Sequence, residues 1–259
     1  MNLQLENKTA LVTGSTKGIG FAIARLLAAE GANVIINGRG EEATRKAAEK
    51  IGSRARGAAG DVGTAAGCAA LVRQAPSVDI LVNNAGIFEP KPFADIPDAD
   101  WDRFYQVNVM SGVRLTRAYL PGMLQRNWGR IIFVSSESGV QIPEEMIHYG
   151  MTKAAQLALV NGIAQLTRGS AVTVNGVLPG PTASEGVTDF VDQLSTQARQ
   201  TPQEFEKQFF RTVRASSLLQ RFATVDEIAS MVAYLCSPLA SATNASAARV
   251  DGGVVRGTV

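Results

Sequence analysis

Short, almost wholly apolar runs alternate along this chain with segments whose apolar positions recur at helical spacing. Residues 8–13 (KTALVT) form the first run and end at a glycine, which predicts a buried strand. In residues 19–30, Ile19, Ala22, Ile23, Leu26 and Leu27 mark one helical face, and Gly31 supplies the stop. The alternation continues with a strand at 33–37 (NVIIN), a charged helix at 41–51 and a strand end near 57–61 (GAAGD). Further strands are predicted at 79–83 (DILVN), 130–135 (RIIFVS), 171–178 (AVTVNGVL) and 248–250. Helical patterns cover 100–126, with an interruption expected near Pro121, then 149–167 and 227–236.

Strands that are apolar throughout and separated by helices predict an α/β fold, a doubly wound (Rossmann-type) parallel sheet covered on both faces. Nothing near the middle reads as a linker, so residues 1–259 are expected to form a single domain. In such sheets ligands bind beyond the carboxyl ends of the strands. Those ends are Gly14, residues 37–39, Asp61, residues 83–86, 135–138 and 179–182. Residues 183–220 leave the alternation: they are polar, with Phe190, Phe205, Phe209 and Phe210 spaced along them. They follow the sixth strand, so a helical lid over the crevice is expected, with an oligomer contact as the rival use.

The first strand runs into Gly14-Ser15-Thr16-Lys17-Gly18-Ile19-Gly20. Glycines there let backbone N–H groups approach a pyrophosphate at the positive end of the following helix. Lys17 precedes a glycine rather than following one and no GK[ST] occurs, which disfavours an ATP-type P-loop. After the second strand stands Asn37-Gly38-Arg39, without the carboxylate that commonly accepts the ribose 2′-OH of NAD. Arg39 and Lys17 could both pair with a 2′-phosphate, so NADP(H) is preferred; an NAD(H) enzyme lacking the acid stays open.

Composition narrows the remaining classes. The net charge of +2 gives no general field for nucleic acid or an anionic membrane. The apolar runs fall far short of the roughly 20 residues of a membrane span, and the N-terminus lacks a signal pattern, so a cytoplasmic protein is expected. Cys68 and Cys236 have no paired spacing and read as idle thiols. The single histidine, His148, excludes a histidine-rich zinc site, and no metal is expected.

With TGSTKGIG at the first turn, Asn83-Asn84-Ala85-Gly86 after the fourth strand and Tyr149-Gly150-Met151-Thr152-Lys153, the chain resembles the short-chain dehydrogenase/reductase family from Lys8 to Gly253. The resemblance implies seven parallel strands and a catalytic tetrad of Asn108, Ser136, Tyr149 and Lys153. Ser136, rather than Ser135 or Ser138, stands at the family's interval before the tyrosine. It further implies cofactor contacts at Gly14, Ser15, Gly18, Ile19, Gly20 and Asn37, with Asp61 and Val62 beside the adenine. Asn83, Ala85 and Gly86 would line the cofactor's path, and Pro179, Gly180 and Thr182 would meet its nicotinamide end. Val250-Asp251-Gly252-Gly253 matches a family signature for the last strand and subunit packing, and the family suggests a homotetramer or homodimer. Two departures stand out: Ala245 replaces a glycine common in relatives, and His148, expected on a pocket wall or the surface, precedes the tyrosine.

The chemistry of the Tyr–Lys pair is plain. A free phenol, with pKa about 10, is a poor proton donor at neutral pH. Lys153, one helical turn from Tyr149, shares its face, and its charge is expected to lower the phenol. Ser136 can donate to the substrate oxygen, Lys153 can bind the nicotinamide ribose, and the family gives Asn108 a water in a proton relay. Hydride transfer to a small-molecule ketone follows, with a 3-oxoacyl thioester as one substrate; Arg126, Arg130 and Arg168 could then meet an acidic carrier. A sugar, polyol or other secondary alcohol remains a rival substrate, and a non-catalytic dinucleotide sensor a rival function.

Overall fold

The computed structural model describes residues 2–185 and 200–257. Among these, β1 (Thr9–Val12), β2 (Asn33–Gly38), β3 (Ala55–Ala59), β4 (Ile80–Asn83), β5 (Gly129–Val134), β6 (Val172–Pro179) and β9 (Ala247–Val250) form one sheet. Every pairing in it is parallel, in the order β3-β2-β1-β4-β5-β6-β9. The chain therefore builds outward from β1 in one direction, returns, and builds outward in the other. The reversal lies between β1 and β4, where such sheets open a crevice beyond the strand ends.

Register explains why the strands read as continuous apolar runs. Leu11 pairs with Ile35 and Leu81, and Leu81 with Ile131. This row faces one core with α3 (Ala65–Gln74), α5 (Ser111–Gln125) and α6 (Ile147–Gln165). The next row, Val12, Ile36, Val82 and Ile132, faces the other core with α1 (Gly18–Ala29) and α8 (Val225–Cys236). Each side of the sheet is buried, so no polar alternation survives.

The helix α2 (Glu41–Ile51) has the bounds expected. Helix α3 goes beyond the sequence reading: its buried face is only Cys68 and Leu71, too few large residues to print a period. The long pattern after residue 98 is broken, but not at Pro121. That proline sits inside α5 with its ring on the solvent side, where α5 continues to Gln125. The break comes earlier, where α4 (Asp98–Phe104) passes into a π-helical stretch, Tyr105–Met110, before α5 begins. Such stretches recur at functional sites, and this one carries Asn108.

His148 is neither exposed nor on a cavity wall, which corrects the expectation. It is fully buried between α4 and α6, its ring 4.1 Å from that of Phe104 and 5.9 Å from that of Trp101. Burial lowers its pKa and so disfavours the charged ring. Ala245 adopts φ +58°, a left-handed conformation that a glycine would hold without strain. Ala245→Gly is therefore expected to stabilise the fold by about 1 kcal/mol, raising Tm by about 2–4 °C. An unchanged or lower melting temperature would contradict this. Among the described residues, no helix is long and apolar enough to cross a membrane.

Within the span proposed as a lid, residues 186–199, Phe190 among them, lie outside the described part. The remainder holds β7 (Thr182–Ala183), paired in parallel with β8 (Ala223–Thr224), and α7 (Pro202–Thr212). Thr201 and Glu204 close a capping box on α7. Phe209 stacks on Phe222 at 5.3 Å, and the buried Phe210 meets the same ring edge-on at 5.2 Å.

Candidate active site

The turn after β1 is shaped by three glycines. Gly14 and Gly18 both adopt φ +60°. At Gly20 a Cβ would fall 2.4 Å from Asn84 Nδ2 and 2.5 Å from the Gly14 carbonyl oxygen. Asn84 Nδ2 donates to the carbonyls of Thr13 (2.9 Å) and Gly14 (3.1 Å), so only glycine lets α1 start this close to the turn. Lys17 at the N-cap offers no capping side chain, leaving the first amides of α1 for an anion.

Ser15 and Asn37, expected as cofactor contacts, have their side chains engaged in holding this turn. Ser15 Oγ donates to the Val12 carbonyl (2.6 Å) and accepts from Asn37 N (3.0 Å). Asn37 Nδ2 donates to the carbonyls of Ala58 and Gly60, both at 3.1 Å. Asn83 is buried too, its Nδ2 donating to Thr116 Oγ1 at 3.3 Å. Asp61 accepts from Gly63 N at 3.0 Å beside the buried Val62. Ala85 packs so close to Gly14 that a Cβ there would lie 3.0 Å from its Cα. Lys17 and Arg39 are exposed, and neither makes an ion pair with a described residue.

Across the switch point a cavity of about 550 Å³ brings together Ile19, Gly86, Ser136, Tyr149, Lys153, Pro179, Gly180 and Thr182. At Gly180 a Cβ would strike the Asp251 backbone at 2.6 Å. The Val250–Gly253 segment thus shapes the end of β6, and the Gly252 carbonyl also takes the amides of Leu218 (2.8 Å) and Leu219 (2.9 Å).

The tetrad residues meet unevenly. Lys153 Nζ donates to the Val134 carbonyl (2.9 Å) and Gln156 Oε1 (3.3 Å), and lies 5.5 Å from the centre of the Tyr149 ring. Ser135 Oγ is spent on the Lys153 carbonyl at 2.9 Å, which leaves Ser136 as the serine beside the tyrosine. Asn108 is fully buried. Its Oδ1 accepts from Ile87 N (2.8 Å), while Nδ2 donates to the Ile87 carbonyl (3.0 Å) and Thr152 Oγ1 (3.0 Å). Its side chain therefore clamps the loop after β4, and its backbone carbonyl already accepts from Gln156 Nε2 at 2.6 Å.

Electrostatics departs from the simple expectation. Burial, with the Glu137 charge behind it, holds the Tyr149 phenol above its ordinary value; hydrogen bonding with Ser136 and the charge of Arg214 work the other way. Burial pushes the Lys153 ammonium down to about 7, against the pull of Glu137. Burial dominates both shifts, because the two groups sit in a setting that penalises charge, and the expected lowering of the phenol by Lys153 is not found. The phenol keeps its proton, the form a proton donor needs.

Sequence reasoning missed several neighbours. Glu137 and Arg214 line the cavity with Glu145, Phe88 and Phe222. Glu137 stood in plain view, a carboxylate between two serines at a strand end. Arg214 could be located only by folding residues 200–222 back over the crevice. The proposed carrier-binding arginines are corrected. Arg130 is 1% exposed, its guanidinium donating to the carbonyls of Ser237, Gly129 and Ala171. Arg126 and Arg168 precede β5 and β6, at the amino ends of those strands and so opposite the cavity.

A short chain dehydrogenase family model matches residues 8–195. The uncharacterized oxidoreductase YvaG of Bacillus subtilis (strain 168) is 49% identical, with 99% of each chain covered. D-beta-hydroxybutyrate dehydrogenase of Cupriavidus necator is 34% identical over 97% of this chain and 99% of its own. Among solved structures, L-sorbose reductase from Gluconobacter frateurii, complexed with NADPH and L-sorbose, superposes with a TM-score of 0.93. It is 31% identical, covering 99% of this chain and 100% of that one.

Proposed function

The chain belongs to the short-chain dehydrogenase/reductase family of oxidoreductases, and from that premise we propose that it is an NADPH-dependent ketone reductase with Tyr149 as proton donor. The observation that carries this reading is the convergence of Tyr149, Ser136 and Lys153 on one cavity beside the glycine turn.

The turn fits a dinucleotide, because its left-handed glycines and crowded Gly20 leave backbone amides where side chains would otherwise stand. Gly14, Ser15, Gly18, Ile19 and Gly20 would hold the pyrophosphate, and Asn37, Asp61 and Val62 would border the adenosine. Asn83, Ala85 and Gly86 would line the path to Pro179, Gly180 and Thr182. Lys17 and Arg39 would meet a 2′-phosphate, and the NADPH bound to L-sorbose reductase supports that choice. When bound, the nicotinamide supplies the hydride.

The chain's own residues do the rest. Ser136 and Tyr149 donate to the carbonyl oxygen, which stabilises the charge that develops there. Tyr149 then gives its proton to that oxygen. Lys153, anchored by the Val134 carbonyl, would bind the nicotinamide ribose and keep the phenol oriented. Asn108 acts by fixing the loop at Ile87.

Phe88, Phe205, Phe209, Phe222, Met146 and Val213 line the substrate side. Such a wall rewards an apolar group flanking the carbonyl, and 3-oxoacyl thioesters satisfy that. L-sorbose reductase favours a second reading, a ketose sugar as substrate, since it superposes along the full length. We expect NADPH consumption, followed at the nicotinamide absorbance, to be faster with acetoacetyl thioesters and aryl ketones than with ketoses. Faster turnover of ketoses would favour the sugar reading, and NADPH binding without any turnover would leave a dinucleotide sensor.

A further inference from the structure

Glu137 is a buried charged group on the cavity wall that the mechanism above leaves unused. It is 5% exposed, and it follows Ser136 directly in a 3-10 turn, Glu137–Gly139. Ser136 Oγ donates its hydrogen to Glu137 Oε2 and accepts from Ser138 N at 3.1 Å. A serine hydroxyl has one hydrogen and two acceptor positions. With the hydrogen given to a carboxylate and one position filled by Ser138, Ser136 offers the cavity only an acceptor. A ketone oxygen is itself an acceptor and gains nothing from that arrangement.

Resting on the reading of Ser136 and Tyr149 just given, we propose that Glu137 is a positioning residue that gates ketone reduction through Ser136. Ionised, it captures the serine hydrogen. Protonated, its own O–H donates to Ser136 Oγ, and the serine hydrogen turns to the substrate oxygen beside the Tyr149 phenol. No proton leaves Glu137 or Ser136 during turnover; the proton that reaches the alkoxide is that of Tyr149.

The surroundings make the protonated form accessible. Arg214, following α7, is the cation nearest the carboxylate, but its Nε is 3.6 Å from Glu137 Oε1. Its Nη1 instead donates to Glu145 Oε1 at 3.1 Å. From α6, Tyr149 and Lys153 also face Glu137, and its charge opposes ionisation of the first while favouring the charged form of the second. Burial raises the carboxyl above the ordinary range, and Ser136, Arg214 and Ser138 only partly offset that. The sign follows: the competent, protonated form prevails at low pH and is lost as pH climbs through the Glu137 ionisation.

The test compares pH profiles of kcat for the best ketone of the panel, at saturating NADPH, in the wild type and in Glu137→Gln. A glutamine amide donates to Ser136 at every pH and cannot ionise. The wild type should lose activity about tenfold per pH unit beyond the Glu137 ionisation, and Glu137→Gln should lack that limb, keeping those that Lys153 and Tyr149 impose. Infrared spectra of the wild type give a second measure that needs no variant. A protonated-carboxyl band should persist above the range of exposed carboxylates and fade along the same pH course as the activity. A Glu137→Gln profile that copies the wild type, or a band that vanishes in the ordinary carboxylate range, overturns the proposal alone. A wild type that reduces no ketone sinks the reductase reading, and this inference with it.

Discussion

Tyr149→Phe is expected to lower kcat about a thousandfold, the size of a lost general acid, while NADPH affinity stays nearly unchanged. Phenylalanine keeps the ring that packs edge-on against Phe88 at 6.4 Å and removes only the hydroxyl. Lys153 keeps its anchors on the Val134 carbonyl and Gln156, so the fold of the cavity should survive. Steady-state turnover and NADPH fluorescence titration separate the two effects. Activity within tenfold of the wild type would refute the assigned role. Loss of NADPH binding would instead mean that the phenol holds the cofactor rather than the substrate.

The second large effect concerns cofactor choice. Arg39→Asp should shift the NADPH/NADH ratio of kcat/KM about a hundredfold toward NADH, since one lost bond to a charged group costs about 1.5–3 kcal/mol and the new carboxylate repels phosphate. Arg39 is exposed beyond the end of β2 and makes no ion pair with a described residue, so stability should not change. Measuring kcat/KM with both dinucleotides decides the matter. An unchanged ratio would mean that the 2′-phosphate is held elsewhere, with Lys17 the next candidate.

These two predictions draw on different depths of the sequence. Arg39 and the glycine turn are legible because both act within a few residues of a strand end, and the end of a buried parallel strand is itself legible. Tyr149 and Lys153 are legible for a similar reason: residues four apart on one helix share a face whatever surrounds it. The cavity wall is less so. Phe205 and Phe209 could be picked out as aromatic anchors, but Phe88 and Phe222 come from loops whose place depends on the whole chain.

The corrections share one cause. Arg130 reads as a surface cation, yet three backbone carbonyls gathered from β5, the start of β6 and the end of α8 surround it in the interior. Pro121 reads as a helix breaker, yet it costs α5 only one hydrogen bond on its solvent side, and packing through Leu115, Tyr119 and Met123 carries the helix past it. His148 reads as a pocket-wall or surface residue, but Phe104 and Trp101 close over it. In each case tertiary contacts outweighed a local preference worth a few kcal/mol at most.

By itself, the sequence determined the alternation of sheet strands with most of the helices, the parallel sheet, the glycine turn and the pair Tyr149–Lys153. All of these follow from periodicity and short-range spacing. Only the tertiary structure decided how the phenol and ammonium titrate, which side chains of the turn are already engaged, and that Glu137 and Arg214 meet beside Ser136. Those outcomes depend on burial and on partners distant in the chain, and the energy of a charge or a hydrogen bond is set by what surrounds it rather than by the residues next to it.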